Sequence, residues 1–248
     1  MEITVFANPQ ALAEYAAQYA SAIIRSAINE RKRARIVAAT GTSQFEFLER
    51  LVSAPNIDWA AVELFHLDEY IGVTPTHPAS FNRYMRERIL KHVPIAKHYL
   101  LDGSCDPGQT IAEVGAELRR APIDIAFTGI GENGHLAFND PPADFSTEAP
   151  YLVVALAQAT RKQQLNEGWF TSLEDVPRAA ITMSIRQILK AKEILCIATG
   201  ERKAAAVKKC FEGQVSPDVP ASILQTHARA QIFLDEEAAH LLERSARH

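Results

Sequence analysis

The sequence has few cysteines and no long apolar run, and each absence excludes a class of protein. The three cysteines, Cys105, Cys196 and Cys210, are far apart and form no Cys-x-x-Cys pair. This pattern favours reduced thiols over a disulfide or zinc framework. No apolar stretch reaches the roughly 20 residues that a membrane-spanning helix needs. We therefore expect a protein without disulfides, without a structural metal and without a membrane span.

The sequence also lacks an excess of positive charge. Its 248 residues include 26 Lys and Arg against 30 Asp and Glu, for a formal net charge of -4. The one basic cluster, residues 31–35, is typical of a solvated helix end. The opening Met-Glu-Ile-Thr-Val-Phe lacks the basic region and apolar core of a signal peptide. We therefore expect a cytoplasmic protein that does not bind nucleic acid or membranes.

Strand-like and helix-like segments alternate along nearly the whole chain. Because 47% of the residues are hydrophobic, the chain can build a full core in one large domain or two small ones. Alternation with short connections predicts an α/β fold: a doubly wound, mostly parallel, Rossmann-like sheet with helices on both faces. We expect a single domain over residues 1–248. The irregular stretch from residue 139 predicts either a lid, extending over about 139–170, or a rigid surface loop.

The strands and helices are assigned from the periodicity of their hydrophobic residues and from the glycines and prolines that bound them. Strands are predicted at 3–7, 35–39, 62–67, 123–128, 151–156, 180–183, 194–198 and 231–234. Helices are predicted at 9–29, 44–53, 80–92, 109–119, 201–211 and 236–243.

Residues 129–140 are the most informative stretch. They read Gly-Ile-Gly-Glu-Asn-Gly-His-Leu-Ala-Phe-Asn-Asp and directly follow a predicted strand. Ligands of open α/β sheets bind at the carboxyl ends of the strands, so His135 is expected to transfer protons in a small-molecule site. Glu132, Asn133 or Asp140 could orient its imidazole. No second histidine stands at ligand spacing, so a metal is not expected.

The glycines of this stretch are similar in spacing to a dinucleotide-binding fingerprint. Gly129, Gly131 and Gly134 have the Gly-x-Gly-x-x-Gly spacing. However, they follow the fourth clear strand instead of opening a first strand–helix–strand unit. We therefore expect no nicotinamide and no other cofactor. Gly131 and Gly134 are instead expected to let the backbone pass close to a substrate.

Two further strand ends are candidate phosphate sites. The first comprises Thr40, Gly41, Thr42 and Ser43. The second, residues 199–203, ends in Lys203. Free N–H groups and the dipole at a helix N-terminus favour a phosphate, and a lysine adds a point charge. The alternatives are an ordinary helix N-cap and an exposed lysine in a first helical turn.

Two adjacent carboxylates, Asp68 and Glu69, follow the strand at 62–67. A carboxylate at a strand end can serve as a general base. The alternative is a capping acid with a solvated neighbour. His66, inside the strand, is expected to be a packed core residue.

Taken in order, these loops resemble the glucosamine-6-phosphate deaminase family, whose fold is shared with 6-phosphogluconolactonases. The resemblance rests on Leu-Asp-Glu-Tyr at 67–70, His-Pro-Ala-Ser-Phe at 77–81 and Gly-Glu-Asn-Gly-His-Leu-Ala-Phe-Asn at 131–139. Lactonases are similar around the glycine–histidine turn but usually continue with Thr-Ala-Ser-Leu-Phe. The continuation here, Leu-Ala-Phe-Asn, is similar to that of the deaminases.

The resemblance implies an amino-sugar-phosphate deaminase-isomerase. Asp68 would move a proton between C2 and C1 of the open-chain sugar, and His135 would assist ring opening. The products from glucosamine 6-phosphate and water would be fructose 6-phosphate and ammonia, with no metal. The residues implied to hold the substrate and its phosphate are Thr40, Gly41, Thr42, Ser43, Glu69, Gly131, Gly134 and Lys203. A homo-oligomer is compatible with the sequence.

The chain departs from the family pattern at several of these positions. Asn133 replaces a frequent Asp, and Asp140 replaces the usual Glu. Both are nevertheless expected to take part in catalysis beside the histidine. A second phosphate arginine is missing by simple alignment, so Arg161 or Lys162 is the expected substitute. These departures suggest a divergent subgroup, whose substrate could be another amino-sugar phosphate.

Two other functions remain open on the sequence alone. A 6-phosphogluconolactonase would use His135 as the base for lactone hydrolysis and would leave Asp68 without a role. A non-catalytic phosphosugar-sensing domain would keep the phosphate loops without catalytic groups. Because both Asp68 and His135 are present, the sensing domain ranks last.

Overall fold

The computed structural model describes residues 1–243 and 246–247. The strands are β1 (Glu2–Phe6), β2 (Ala34–Ala38), β3 (Val62–His66), β4 (Asp68–Tyr70), β5 (Lys97–Tyr99), β6 (Ile125–Thr128), β7 (Tyr151–Ala155), β8 (Ala179–Met183), β9 (Glu193–Ala198), β10 (Ala230–Asp235) and β11 (Ala246–Arg247). The α-helices are α1 (Pro9–Arg31), α2 (Phe45–Val52), α3 (Phe81–Met85), α4 (Pro107–Arg119), α5 (Gln158–Asn166), α6 (Ile185–Ile188), α7 (Ala204–Glu212) and α8 (Glu236–Ala239). A π-helical turn, Arg86–Leu90, continues α3, and 3-10 turns lie at Thr42–Gln44, Trp59–Ala61, Glu201–Lys203 and Pro220–Thr226. None of the helices in the described part of the chain could span a membrane.

Most strands join one parallel sheet, which confirms the predicted α/β architecture. Its order is β11-β1-β10-β9-β6-β2-β3-β5, and all of its pairs are parallel. One face packs against α1, α2 and α3, and the other against α4, α6 and α7. Because β9, β6, β2 and β3 are neighbours, their carboxyl ends meet along the same edge of the sheet.

Helix α1 shows how local sequence produces these layers. The side chain of Asn8 accepts a hydrogen bond from the Ala11 N–H at 2.9 Å, and Pro9 occupies the first turn. Both are typical of a helix start. Leu12, Ala16 and Ala20 recur at helical spacing and are buried against the sheet. The helix ends at Lys32, whose φ of 61° is left-handed.

A second, antiparallel sheet corrects the prediction of a loop after residue 67. Its order is β4-β8-β7, and Asp68 lies opposite Thr182 in β8. The chain leaves the parallel sheet at Leu67, whose N–H donates to the Ala38 carbonyl at 3.3 Å and whose carbonyl accepts from the Met183 N–H at 2.7 Å. Asp68 and Glu69 are therefore strand residues, held by pairing with a distant segment.

The other differences concern short elements. Strand β5 and helices α5 and α6 were not predicted, because three to nine residues carry little periodic signal. The helix predicted over 80–92 is interrupted by the π-helical turn, and that predicted over 236–243 ends at Ala239. The segment 139–170 includes β7 and α5. Whether it acts as a lid stays a prediction, as does the single-domain organisation.

Candidate active site

A cavity of about 290 Å³ opens at the carboxyl ends of β2, β6 and β9. Its wall is formed by residues 39–43, 67–68, 129–131 and 199–203 together with Phe81, His135, Ala137, Phe138, Gln163, Gln164, Glu167 and Glu237. The structure thus brings together the four strand-end loops that the sequence singled out. This is the edge at which a parallel sheet binds its ligands.

Two glycine turns form one end of the cavity. Gly41 has φ 120° and Gly200 has φ 86°, backbone conformations that glycine adopts without strain. Each turn leads through a 3-10 turn into a helix, α2 and α7 respectively. The Gly200 N–H is held by both carboxylate oxygens of Asp235 at 3.0 Å. Two helix N-termini therefore border one corner, as an anion site requires.

The same corner contains two cations in different settings. Lys203 is half-buried at the cavity wall, and burial lowers the pKa of Lys203 while the carboxylates of Glu167 and Glu132 act against that change. The Arg202 side chain is 63% exposed and lies 3.5 Å from the Glu132 carboxylate. Lys203 is therefore the cation best placed to meet a phosphate inside the cavity.

The turn that carries His135 depends on glycine. The Gly131 N–H donates to the His135 carbonyl at 3.0 Å, and the Gly134 N–H donates to the Gly131 carbonyl at 3.0 Å. A Cβ atom on Gly131 would lie 2.2 Å from the His135 ring. Gly134 has φ 85° and does not line the cavity. In this structure Gly134 shapes the turn, and the substrate contact predicted for it stays a prediction.

His135 is oriented by a network of polar side chains. Its Nδ1 lies 3.1 Å from Thr160 Oγ1 and 3.5 Å from Asp140 Oδ1. Thr160 donates its own hydroxyl proton to Asp140, so the hydroxyl can only accept from His135. We therefore assign the proton of the neutral ring to Nδ1, which leaves Nε2 as the nitrogen that can take a proton.

Asn133 and Asp140 complete this network. The side-chain NH2 of Asn133 donates to Asp140 Oδ1 at 3.0 Å, and its Oδ1 accepts from the backbone N–H of His135 at 3.1 Å. Burial alone would raise the pKa of Asp140, but hydrogen bonds from His135, Thr160 and the Ala157 N–H, with the charge of His135, lower it to about 2. Asp140 is thus ionised at neutral pH, and the amide of Asn133 suits it because a second carboxylate there would repel it.

Asp68 is the buried carboxylate of the cavity, with 6% of its surface exposed. Burial raises the pKa of Asp68 well above its usual range, and the neighbouring Glu69 raises it further. His66 is completely buried, as the sequence predicted, and burial lowers its pKa to about 3. Asp68 therefore binds a proton more tightly than an exposed aspartate does, which suits a general base.

Glu69 lies apart from the cavity wall, and the substrate contact predicted for it stays a prediction. It is fully buried and does not line the cavity. Its carboxylate instead accepts hydrogen bonds from Ser80, Phe81 and Asn82 at the start of α3. Burial raises the pKa of Glu69 to about 7, and these hydrogen bonds act against that rise.

Arg161 also lies apart from the cavity. Its guanidinium donates to the backbone carbonyls of Leu173 and Val176 and is not part of the cavity wall. Lys162 is exposed and also lies outside the cavity wall, and the expectation that Arg161 or Lys162 replaces a phosphate arginine stays a prediction. Arg161 ties α5 to the loop that follows it.

Gln163 and Gln164 of α5 and Glu167, its C-cap residue, line the cavity and were not predicted. Gln163 accepts from the Glu132 N–H at 2.9 Å and donates to Glu167 at 2.8 Å. Gln164 accepts from the Tyr70 hydroxyl at 2.6 Å. The only signal in the sequence was that this segment departs from the family pattern, and that signal does not say which side chains face a site.

Replacing Gly131 by Ala is expected to displace the His135 ring from Thr160. Because the added methyl group overlaps the ring, we expect a loss of about 1–3 kcal/mol of stability, a fall in Tm of several degrees and at least a tenfold loss of activity. Gly129→Ala is the matched control, since its Cβ atom would meet nothing closer than 3.5 Å. Thermal melts and turnover of both variants test this; equal behaviour of the two would contradict it.

Comparisons with known proteins agree with this geometry. A family model described as glucosamine-6-phosphate isomerases/6-phosphogluconolactonase matches residues 7–233. A glucosamine-6-phosphate deaminase of Exiguobacterium sibiricum is 42% identical over 210 residues, which cover 84% of this chain and 81% of that protein. One of Lactobacillus delbrueckii subsp. bulgaricus is 37% identical over 246 residues, covering 98% and 100%.

Solved structures give the same picture of the fold. A monomeric glucosamine-6-phosphate deaminase has a TM-score of 0.88 at 31% identity, covering 97% of this chain and all of that one. A 6-phosphogluconolactonase from Shewanella baltica has a TM-score of 0.77 at 20% identity, covering 95% and 98%. The second similarity, at this identity, concerns the fold alone.

Proposed function

The chain belongs to the family of glucosamine-6-phosphate isomerases and 6-phosphogluconolactonases, and from this membership we propose that it is a glucosamine-6-phosphate deaminase. The reaction converts glucosamine 6-phosphate and water into fructose 6-phosphate and ammonia. The name carried by the curated relatives, at 37–42% identity for the two cited above, supports this activity over lactone hydrolysis.

The observation that carries the proposal is that Asp68 shares the cavity with the His135 network. Hydrolysis of a lactone needs one base, which activates water. Aldose–ketose isomerisation needs a second group that takes a proton from one carbon and returns it to the next. A buried carboxylate with a raised pKa suits that transfer.

The chemical steps follow from these two groups. His135 Nε2 takes the proton of the sugar's C1 hydroxyl and returns it to the ring oxygen, which opens the pyranose. Asp68 takes the C2 proton of the open chain and delivers it to C1, while a proton from the C2 amino group passes to the C1 oxygen, so that C1 becomes a hydroxymethyl group and an imine forms at C2. Water adds to that imine carbon, and the C–N bond breaks to release ammonia. No step needs an oxidant or a cofactor.

The glycine turns and Lys203 anchor the substrate at the other end of the cavity. The N–H groups at the starts of α2 and α7 and the Lys203 ammonium bind the phosphate. Binding energy from this non-reacting group holds C1 and C2 between the catalytic residues.

The proposed activity is tested with a panel of substrates. We expect ammonia release from glucosamine 6-phosphate, while galactosamine and mannosamine 6-phosphates measure selectivity at C4 and C2. Hydrolysis of 6-phosphogluconolactone is assayed in parallel. Rapid lactone hydrolysis without ammonia release from any amino sugar would contradict the proposal and favour the lactonase.

Replacing Lys203 by Met is expected to raise KM far more than it lowers kcat. A hydrogen bond to a charged group contributes about 1.5–3 kcal/mol, which corresponds to roughly a 10- to 100-fold increase in KM. Arg202→Met is the matched control, because Arg202 is exposed and already paired with Glu132; we expect less than a threefold change. Steady-state kinetics of both variants test this assignment. A larger increase in KM for Arg202→Met than for Lys203→Met would make Arg202 the phosphate-binding cation.

We further propose a cytoplasmic location. Cys105, Cys196 and Cys210 are unpaired, which suits a compartment that keeps thiols reduced. A homo-oligomer stays a prediction, and one solved relative is described as monomeric.

A further inference from the structure

Glu69 makes more contacts than an ordinary capping residue needs. One carboxylate oxygen accepts the N–H groups of Tyr70 at 2.9 Å and Phe81 at 3.2 Å. The other accepts the Asn82 N–H at 2.8 Å and the Ser80 hydroxyl at 2.7 Å. The carboxylate is therefore the acceptor of four hydrogen bonds, which favour its ionised form, whereas burial acts in the opposite direction and raises its pKa.

The charge of Glu69 has no cationic partner. Among residues 1–243, no ion pair involving Glu69 is formed, and its nearest acidic neighbour in sequence is Asp68. The other titratable groups around Asp68 are His66 on β3, Tyr70 on β4 and Tyr151 on β7, and His135, Lys203, Glu167 and Glu237 line the same cavity. Burial keeps His66 and both tyrosines neutral. Glu69 is the residue next to Asp68 on β4, and its negative charge raises the pKa of Asp68.

The same contacts connect the strand of the base to the wall of the cavity. Strand β4 has only three residues, whereas Phe81, at the start of α3, lines the cavity. Ser80 also accepts the Arg83 N–H at 3.2 Å, so the carboxylate of Glu69 joins the capped end of this helix. A displacement of Glu69 would move both Asp68 and the wall it faces.

We propose that Glu69 is a positioning residue of the reaction: its carboxylate ties β4, the strand that carries Asp68, to the start of α3 and places a negative charge next to Asp68. The part of this inference that concerns turnover rests on the proposed deaminase function. The part that concerns the titration of Asp68 does not, because it can be measured without a substrate.

Glu69→Gln removes the charge at nearly constant shape. Without a like charge beside it, Asp68 is easier to ionise, so the acidic limb of kcat/KM moves to lower pH by about one unit. The base also becomes weaker, so kcat falls by roughly tenfold while KM changes little. Ser80→Ala is the matched control, since it removes one hydrogen bond between Glu69 and the start of α3 and keeps the Glu69 carboxylate. We expect the acidic limb of its kcat/KM profile to stay at the wild-type pH. A limb at the same pH in Glu69→Gln and wild type overturns the proposal.

A second measurement follows the titration in the wild-type protein, and variants serve only to assign the signals. Carboxyl-carbon NMR of protein labelled at Asp and Glu follows the titration of both carboxyl groups. The Asp68→Asn and Glu69→Gln variants assign the two signals. We expect Glu69 to ionise at a lower pH than Asp68. The opposite order overturns the inference. If glucosamine 6-phosphate is not turned over at all, the proposed function fails while this titration still decides the role of Glu69.

Discussion

Replacing Asp68 by Asn is expected to lower kcat with glucosamine 6-phosphate by roughly 100- to 10,000-fold. The amide has the shape of the carboxylate but cannot take the C2 proton. Asp68 is buried and has no ion-pair partner among the described residues, so its replacement also removes the cost of burying a charge. Turnover measured as ammonia release tests the expectation.

Binding and stability separate a lost base from a damaged fold. We expect the Asn variant to melt no lower than wild type and to bind the acyclic analogue 2-amino-2-deoxyglucitol 6-phosphate within threefold of the wild-type Kd. Lys203→Met, by contrast, weakens that binding. A variant that keeps more than half of the wild-type kcat would remove Asp68 from the mechanism.

The pH profile of the wild-type enzyme reports on the same residue. Because burial and Glu69 raise the pKa of Asp68, the base is lost by protonation well above the usual range of an aspartate. kcat/KM should therefore fall as the pH is lowered, along a limb that is absent from the residual activity of Asp68→Asn. A limb at the ordinary aspartate pKa would contradict the environment described for Asp68.

Replacing His135 by Gln is expected to cost roughly 100- to 10,000-fold in kcat/KM. In the proposed mechanism the imidazole transfers a proton during ring opening through Nε2, since Nδ1 faces Thr160 and Asp140. Glutamine can form hydrogen bonds there but cannot exchange a proton. The acyclic analogue, which has no ring to open, should bind the variant as it binds wild type.

Thr160→Val tests whether the network orients the ring. It removes the hydroxyl between His135 and Asp140 while keeping the shape of the side chain. We expect an intermediate loss, about tenfold to 100-fold, because the base remains but its tautomer is no longer selected. If His135→Gln lost less activity than Thr160→Val, the histidine would not be the group that the network serves.

Much of the fold and part of the site followed from the sequence, for local reasons. Alternating strand and helix patterns predicted the parallel sheet, because side-chain periodicity is set by each element itself. The strand-end loops at 40–43, 129–135 and 199–203 were predicted as ligand-binding segments, because open α/β sheets bind ligands at the carboxyl ends of their strands. The cavity lies at that edge, although the catalytic roles of its residues stay predictions.

What only the tertiary structure decided depends on partners far along the chain. Asp68 enters a second sheet because it pairs with β8. A strand of three residues is too short to show a periodic pattern in the sequence. Glu69 turns away from the cavity because its hydrogen-bond donors lie at residues 80–82. Gln164 lines the site because it meets the Tyr70 hydroxyl. The direction of a buried polar side chain is set by the group that satisfies it, and a sequence pattern does not record where that group lies in space.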